Sequence, residues 1–469
     1  MKRLITLLTA AVMVAGSYAP ASAIDIKVSG TWEIGIGWAD NQDFTNAKHG
    51  SYNDSFGAAQ RVRTQFQFIA SETLKGTLGF EIGTQNWGTN DDDSRGGALD
   101  ADGYATKVKS AFLDWSPVGG LAIRMGVQGV ALPSATFGNP ILDADVAGIT
   151  GNYQFSDNMS LSFFWLRPFD RGWGSETRNR LDEMDMFGFS LPIVGENFSV
   201  TPWAMYAHNG NESGYWEYRI NGDVNDALDE YYKGNTNMWW AGAAIELDFL
   251  APFSIKLDGM YGQAKGSEAP EFSGWLVAGL FEYQTETALG NPGILGWYAS
   301  GDSADDYKDG KHGKFSRMPV VGTDNAGFGP LGYGFAGSMG CMQDSLISNS
   351  GVGTWGAGVQ IDGMSFIDNF SHLLRVAYVR GTNDEDMVRN GGAERFGPPY
   401  NIMGDAVYLT KKDYAVEFDM VTTWEVEKNL NIYLEANYII LEMDSDVWGS
   451  RDSKTANAWK AQILFEYAF

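Results

Sequence analysis

The chain has 469 residues, with 33 Lys and Arg against 59 Asp and Glu and a formal charge of −26, which excludes nucleic acid, whose phosphates require a basic surface. Only 44% of residues are apolar and the mean hydropathy is −0.23, too polar for a bundle of membrane helices. Aromatic residues make up 14% and glycines number 58; this excludes disorder and suits a large all-β sheet embedded in a membrane.

Residues 1–23 read as a secretory signal peptide. Lys2 and Arg3 start it, Leu4 to Ala15 form its apolar run, and Ala21-Ser22-Ala23 supplies a small-x-small cleavage site before Ile24. The apolar run is too short to span a bilayer, which takes about 20 residues. Residues 24–469 are then expected to form a single β-barrel domain. Cys341 is the one cysteine, so no internal disulfide is expected.

Side chains alternate faces along a strand, so a lipid-facing barrel strand shows an apolar residue at every second position. The first segment does this with Ile26, Val28, Trp32, Ile34, Ile36 and Trp38 opposite Lys27, Thr31, Glu33 and Gly35. Val62, Phe66 and Phe68 follow, opposite Arg61, Arg63, Gln65 and Gln67. Leu78, Phe80 and Ile82 stand opposite Glu81, and Leu121, Ile123, Met125 and Val127 opposite Arg124 and Gln128. The pattern recurs in Phe253, Ile255 and Leu257, in Val416, Phe418 and Met420, and in Ile432, Leu434 and Ala436. It ends with Trp459, Ala461, Ile463, Phe465, Tyr467 and Phe469.

Eighteen strands are predicted, with 16 as the alternative: near 25–38, 59–70, 77–88, 106–116, 120–128, 148–155, 160–167, 184–191, 198–208, 237–249, 253–264, 271–283, 291–300, 352–361, 371–381, 412–424, 430–442 and 456–469. Connections alternate between short turns, such as Leu250-Ala251-Pro252, and long loops, such as 301–351. That asymmetry is the one outer-membrane barrels show between their periplasmic and extracellular ends. An open edge in hydrocarbon leaves backbone groups unpaired at several kcal/mol each, so the first and last strands must join. A closed cylinder of this size is too wide for side chains alone to fill, so a water-filled lumen is expected.

With the leader, this strand pattern and the ending Ile463-Leu464-Phe465-Glu466-Tyr467-Ala468-Phe469, the chain resembles Gram-negative outer-membrane porins. It looks most like the homotrimeric porins of sulfate-reducing bacteria. The resemblance implies passive transport of ions and small hydrophilic solutes across the outer membrane, a homotrimer, and contact with outer-membrane lipids and lipopolysaccharide. It also implies that Phe465, Tyr467 and Phe469 carry the signal read by the barrel assembly machinery.

Porins fold the loop after their fifth strand into the lumen. The corresponding constriction loop is 129–147, longer and more apolar than a solvated loop needs to be, with Asp143 and Asp145 as its acidic members. A basic wall is expected opposite, from Arg61, Arg63, Lys107, Lys109 and Arg124. Facing walls of opposite sign set up a transverse field that favours dipolar solutes. Glu33, Glu81, Glu246, Asp248, Asp258, Glu417, Asp419 and Glu435 on polar faces lean the expected selectivity toward cations.

No cofactor is expected. Asp91-Asp92-Asp93 and the cluster Asp302, Asp305 and Asp306 offer oxygen ligands for Ca²⁺ without EF-hand spacing, and solvated loop charge is the better reading of both. A substrate-selective channel, for instance for sugars, is the main alternative to a general pore; Trp203 and Trp240 on polar faces are its only sequence support. An enzyme is not expected, because His49, His208, His312 and His372 have no Ser partner at motif spacing. An adhesin that binds through its long loops is a third reading.

Overall fold

A computed structural model describes residues 24–41, 44, 55–91, 94–95, 97–99, 105–171, 183–211, 213–215, 235–266, 271–303, 314–323, 328–329, 350–391, 408–452 and 457–469. The signal peptide, His49, His312, Cys341, Asp92, Asp93, Asp305 and Asp306 lie outside them.

Period-two alternation gives 18 long antiparallel strands closed into one barrel. They are β1 (Asp25–Asp40), β2 (Ser55–Ile69), β3 (Leu74–Asn86), β4 (Thr106–Val118), β5 (Leu121–Ala131), β6 (Leu142–Ser156), β7 (Met159–Asp170), β8 (Glu183–Ser190) and β9 (Phe198–Asn209). The second half is β10 (Thr236–Leu250), β11 (Phe253–Gly266), β12 (Glu271–Tyr283), β13 (Asn291–Ala299), β14 (Thr354–Met364), β15 (Phe370–Gly381), β16 (Tyr414–Glu427), β17 (Leu430–Glu442) and β18 (Ala458–Ala468). Each pairs with its neighbour in sequence. β1 joins β18 from Thr31↔Ala468 to Asp40↔Trp459, so no sheet edge is left for hydrocarbon to meet.

Burial separates the two faces. Ile26, Val28, Trp32 and Trp38 are exposed on the outside, while Glu33 between them is buried within the cylinder. Turns such as Gly119-Gly120 and Lys428-Asn429 close one end, and the long connections stand at the other. In outer-membrane barrels the end closed by short turns is the periplasmic one. Two short helices, α1 (Glu385–Gly391) and α2 (Ser445–Asp452), sit in the long loops and pack through Met387, Val388, Val447 and Trp448, all buried.

The fifth connection differs from the expected loop 129–147. β5 continues to Ala131 and β6 begins at Leu142, so only 132–141 is irregular. Asp143 and Asp145 are therefore strand residues.

Candidate functional site, a double constriction inside the barrel

Residues 132–141 turn into the cylinder. Ser134 and Asn139 give the turn internal support: the Ser134 hydroxyl accepts the N–H of Gly138 at 3.1 Å, and Asn139 bridges the Pro133 carbonyl and the Ile141 N–H at 3.0 Å each. The far side of the turn reaches β11, where Asp258 points inward and is buried. Its carboxylate accepts the backbone N–H groups of Ala135 and Thr136 at 2.9 Å each and the hydroxyl of Ser134 at 2.6 Å. Thr136 adds its own hydroxyl at 2.5 Å. Four donors on one carboxylate make a strong clamp, each hydrogen bond contributing about 0.5–1.5 kcal/mol net.

A second segment, 314–323, enters from the long connection between β13 and β14. Its residues Met318, Val320 and Val321 are buried. The Val321 N–H donates to the Ile141 carbonyl at 2.8 Å, and Gly322 and Thr323 pair in parallel with Leu142 and Asp143. Further along the same connection, the Gly329 N–H donates to the Phe137 carbonyl at 2.8 Å, and the Phe137 and Phe328 rings meet edge to face at 5.7 Å. The two insertions are thus joined at the middle of the first, at Phe137, and at its C-terminal end.

The second segment has its own anchors, on β10 and in the connection between β9 and β10. The Trp240 indole donates to the Pro319 carbonyl at 2.7 Å, and the Tyr215 hydroxyl to that of Val320 at 3.0 Å. Gly262 and Gly274 make room for it. A Cβ on Gly274 would lie 2.3 Å from the Met318 nitrogen, and one on Gly262 2.3 Å from the Trp240 ring. Asp302 and Arg317 pair at 3.4 Å, and the Tyr408 hydroxyl donates to Asp302 at 3.2 Å. Arg375 on β15 donates to the Gly329 carbonyl at 3.4 Å and lies over the Phe137 ring at 5.9 Å. Length alone distinguishes this connection in the strand pattern. The uninterrupted run Met318-Pro319-Val320-Val321 within it is the signal that marks the insertion.

The inner wall differs around the barrel. On β14 to β18 many inward polar groups, among them Gln360, Arg375, Glu417, Glu435 and Lys460, are buried. Arg375 donates to Gln360, Gln360 to Glu282, and Gln462 to Glu435. On β1 to β5 the inward charges become progressively more open. Arg61 pairs with Glu33, Arg63 with Glu81, and Arg124 with Asp114, each at 2.7 Å. The arginine side chains of these pairs are 14%, 33% and 41% exposed in that order, so water reaches this wall. Arg124 also stacks over Phe112 at 4.0 Å.

The structure brings Arg61, Arg63 and Arg124 onto one lumen wall, with Lys107 in register with Glu81. Lys109 is not with them. A bulge between Gly79 and Phe80 shifts β4 by one residue, and Lys109 shares a face with the outward Leu113. It pairs there with Asp145, which alternates with the outward Ile149. Asp143 falls on the same outward side of β6. These three residues were expected at the eyelet, and the bulge and the early start of β6 place them elsewhere. The expected transverse field is corrected too: Arg61, Arg63 and Arg124 are each matched by a carboxylate on an adjacent strand, so charge alternates along this wall.

Trp203 and Trp240 face inward but are buried, at 3% and 0% exposure, so they form no open aromatic stripe. His208 meets Asn237 at 2.9 Å and His372 meets Thr422 at 2.8 Å. Asp91 lies in a two-residue strand paired with Ser94–Arg95, while Asp302 is engaged by Arg317 and Tyr408. Among the described residues no three metal-ligating side chains come together. Phe465, Tyr467 and Phe469 share the outer side of the closing seam, with Tyr467 and Phe469 stacked at 5.9 Å. Gly30 and Phe469 exchange backbone hydrogen bonds of 2.9 and 3.0 Å there.

No protein-family model matches the chain, and no curated protein matches it. Solved structures do. OpdK of Pseudomonas aeruginosa, solved with vanillate, is 11% identical, with 95% of this chain and 98% of that one covered and a TM-score of 0.52. A BenF-like porin from Pseudomonas fluorescens Pf-5 is 10% identical over the same shares, with a TM-score of 0.52. OpdQ of P. aeruginosa is 12% identical, again over 95% and 98%, with a TM-score of 0.51. At such identities the likeness is one of fold: the chain has the 18-stranded barrel of outer-membrane porins.

Proposed function

We propose that this protein is a solute-selective channel of a Gram-negative outer membrane, passing small hydrophilic molecules by passive diffusion and catalysing no reaction. The observation that carries this reading is the double insertion, clamped to β11 by Asp258 and to β10 by Trp240. An 18-stranded cylinder without inner filling would be a broad pore. Two joined segments and a buried polar belt on β14 to β18 narrow the lumen beside the water-accessible Arg63 and Arg124 of β2 and β5. A passage with alternating Arg and carboxylate groups favours solutes that carry complementary charge, and desolvating an apolar solute's path there is unfavourable.

This reading replaces general diffusion as the first choice. A sugar slide has no open aromatic stripe to support it, because the insertion covers Trp240. The neighbour solved with vanillate makes a small aromatic carboxylate a reasonable first probe. The reading includes removal of the leader at Ala23, recognition of Phe465, Tyr467 and Phe469 by the assembly machinery, contact with lipopolysaccharide, and the homotrimer implied by the resemblance to porins of sulfate-reducing bacteria. Current block in planar bilayers tests it. Vanillate, glucose and arginine at equal concentration should reduce the current to different extents; equal, size-ordered reduction would favour a general pore.

A further inference from the structure

The outer wall is not uniformly convex. On β12 to β18 it holds an apolar groove of about 1030 Å³. One flank follows the hydrogen-bonding register across seven strands, from Phe281 through Ile294, Val359 and Phe418 to Trp459. The other flank runs parallel, from Ile361 and Leu374 to Met420, and narrows to the cross-strand pair Ala436 and Ala461. The large residues of both flanks are exposed, Ile294 at 62%.

The groove climbs. Phe281 is two residues from the periplasmic end of β12, and Trp459 is nine from that end of β18. At about 3.4 Å per residue and a tilt of about 40°, seven residues rise about 18 Å, little more than half of a hydrocarbon core about 30 Å thick. Its lower end meets two periplasmic turns that pack together, the Ser365 N–H donating to the Ala288 carbonyl at 2.9 Å. These turns expose Leu289, Phe366 and Ile367 by 62–66%, extending the apolar track to the inner-leaflet boundary. Tyr438 and Trp459 stand at its upper end.

We propose that this groove binds the acyl chains of an inner-leaflet phospholipid. It is continuous with the lipid-facing belt of the barrel, so hydrocarbon is the medium it meets. Slender chains can fill a recess that a second barrel cannot. A convex wall would bridge the groove, and a twofold contact would set groove against groove, leaving both empty. Filling by chains restores the contacts that a void forfeits. The inference rests on the outer-membrane reading but not on solute selectivity.

The full chain, in phosphatidylethanolamine and phosphatidylglycerol vesicles doped with phosphatidylethanolamine bearing a diazirine in its acyl chain, is photolysed and the adducts are mapped by peptide mass spectrometry. Adducts should concentrate several-fold on Ile294, Val359 and Met420 relative to the outward Ile245 of β10. Ala461→Phe should remove most of that excess, and Ala243→Phe on β10 should leave it unchanged. An even distribution in the wild-type protein would overturn the proposal without any variant having to fold. So would preferential labelling of the groove by diazirine-bearing lipopolysaccharide, or intermolecular cross-links through the groove in place of lipid adducts. Absence of adducts anywhere would overturn the membrane reading and this inference with it.

Discussion

The carboxylate of Asp258 accepts the backbone N–H of Thr136 at 2.9 Å, although Thr136 belongs to the turn between β5 and β6 and Asp258 stands on β11. The bond fixes one insertion against a wall six strands away. Asp258→Ala removes the acceptor for two amides and two hydroxyls without touching a strand hydrogen bond. The seated loop should lose about 3 kcal/mol, roughly a hundredfold in population. The barrel should still fold, and the cut-off for neutral polymers entering the pore should rise. Asp258→Asn keeps one acceptor oxygen and should fall between.

The barrel itself was legible because each strand carries its two faces in its own residues; even the two least regular segments, near 106–116 and 291–300, form β4 and β13. The interior was less so. Alternation places a side chain correctly only while the register is unbroken, and the bulge beside Gly79 carries Lys109 outward. The second insertion was hidden for another reason. Its hold on the wall comes from a tryptophan on β10 and glycines on β11 and β12, contacts no local pattern announces.

The two insertions should behave as one unit. Trp240→Ala frees the Pro319 carbonyl and empties the wall under Met318. Because Val321 bonds Ile141, this change should also loosen the turn held by Asp258. A double-mutant cycle of Trp240→Ala and Asp258→Ala, read in polymer cut-off and conductance, should be strongly non-additive. Additive effects would mean two independent gates.

Charge substitutions on the open wall should separate selectivity from stability. Arg124 is the most exposed of the three arginines on this wall, so Arg124→Gln should cost at most about 1 kcal/mol. It leaves Asp114 unmatched and should move the reversal potential toward cation preference. Arg61→Gln should shift it in the same direction but lower thermal stability more, because Glu33 is only 8% exposed.

The long loops carry a pH response. Burial pushes the Asp384 carboxyl up, but the Asp386 N–H at 3.1 Å and Lys411 at 3.2 Å outweigh it and hold it below the ordinary aspartate value. A lowered folded-state pKa adds stability above the ordinary value and loses it as pH falls through the folded one. Hydrogen exchange in α1 should therefore be unchanged at neutral pH and quicken, relative to the barrel, as the medium is acidified below about 3.9. Asp384→Asn should show faster α1 exchange already at neutral pH.

The most direct measurement is the ionic current through single molecules of the wild-type barrel in a planar bilayer. Discrete ohmic steps are predicted, partly blocked by one class of small charged solute and little affected by others of the same size. A silent bilayer from correctly folded protein, or steps that every solute of a given size reduces alike, would contradict the narrowed, charge-lined passage argued from Asp258, Trp240 and Arg124.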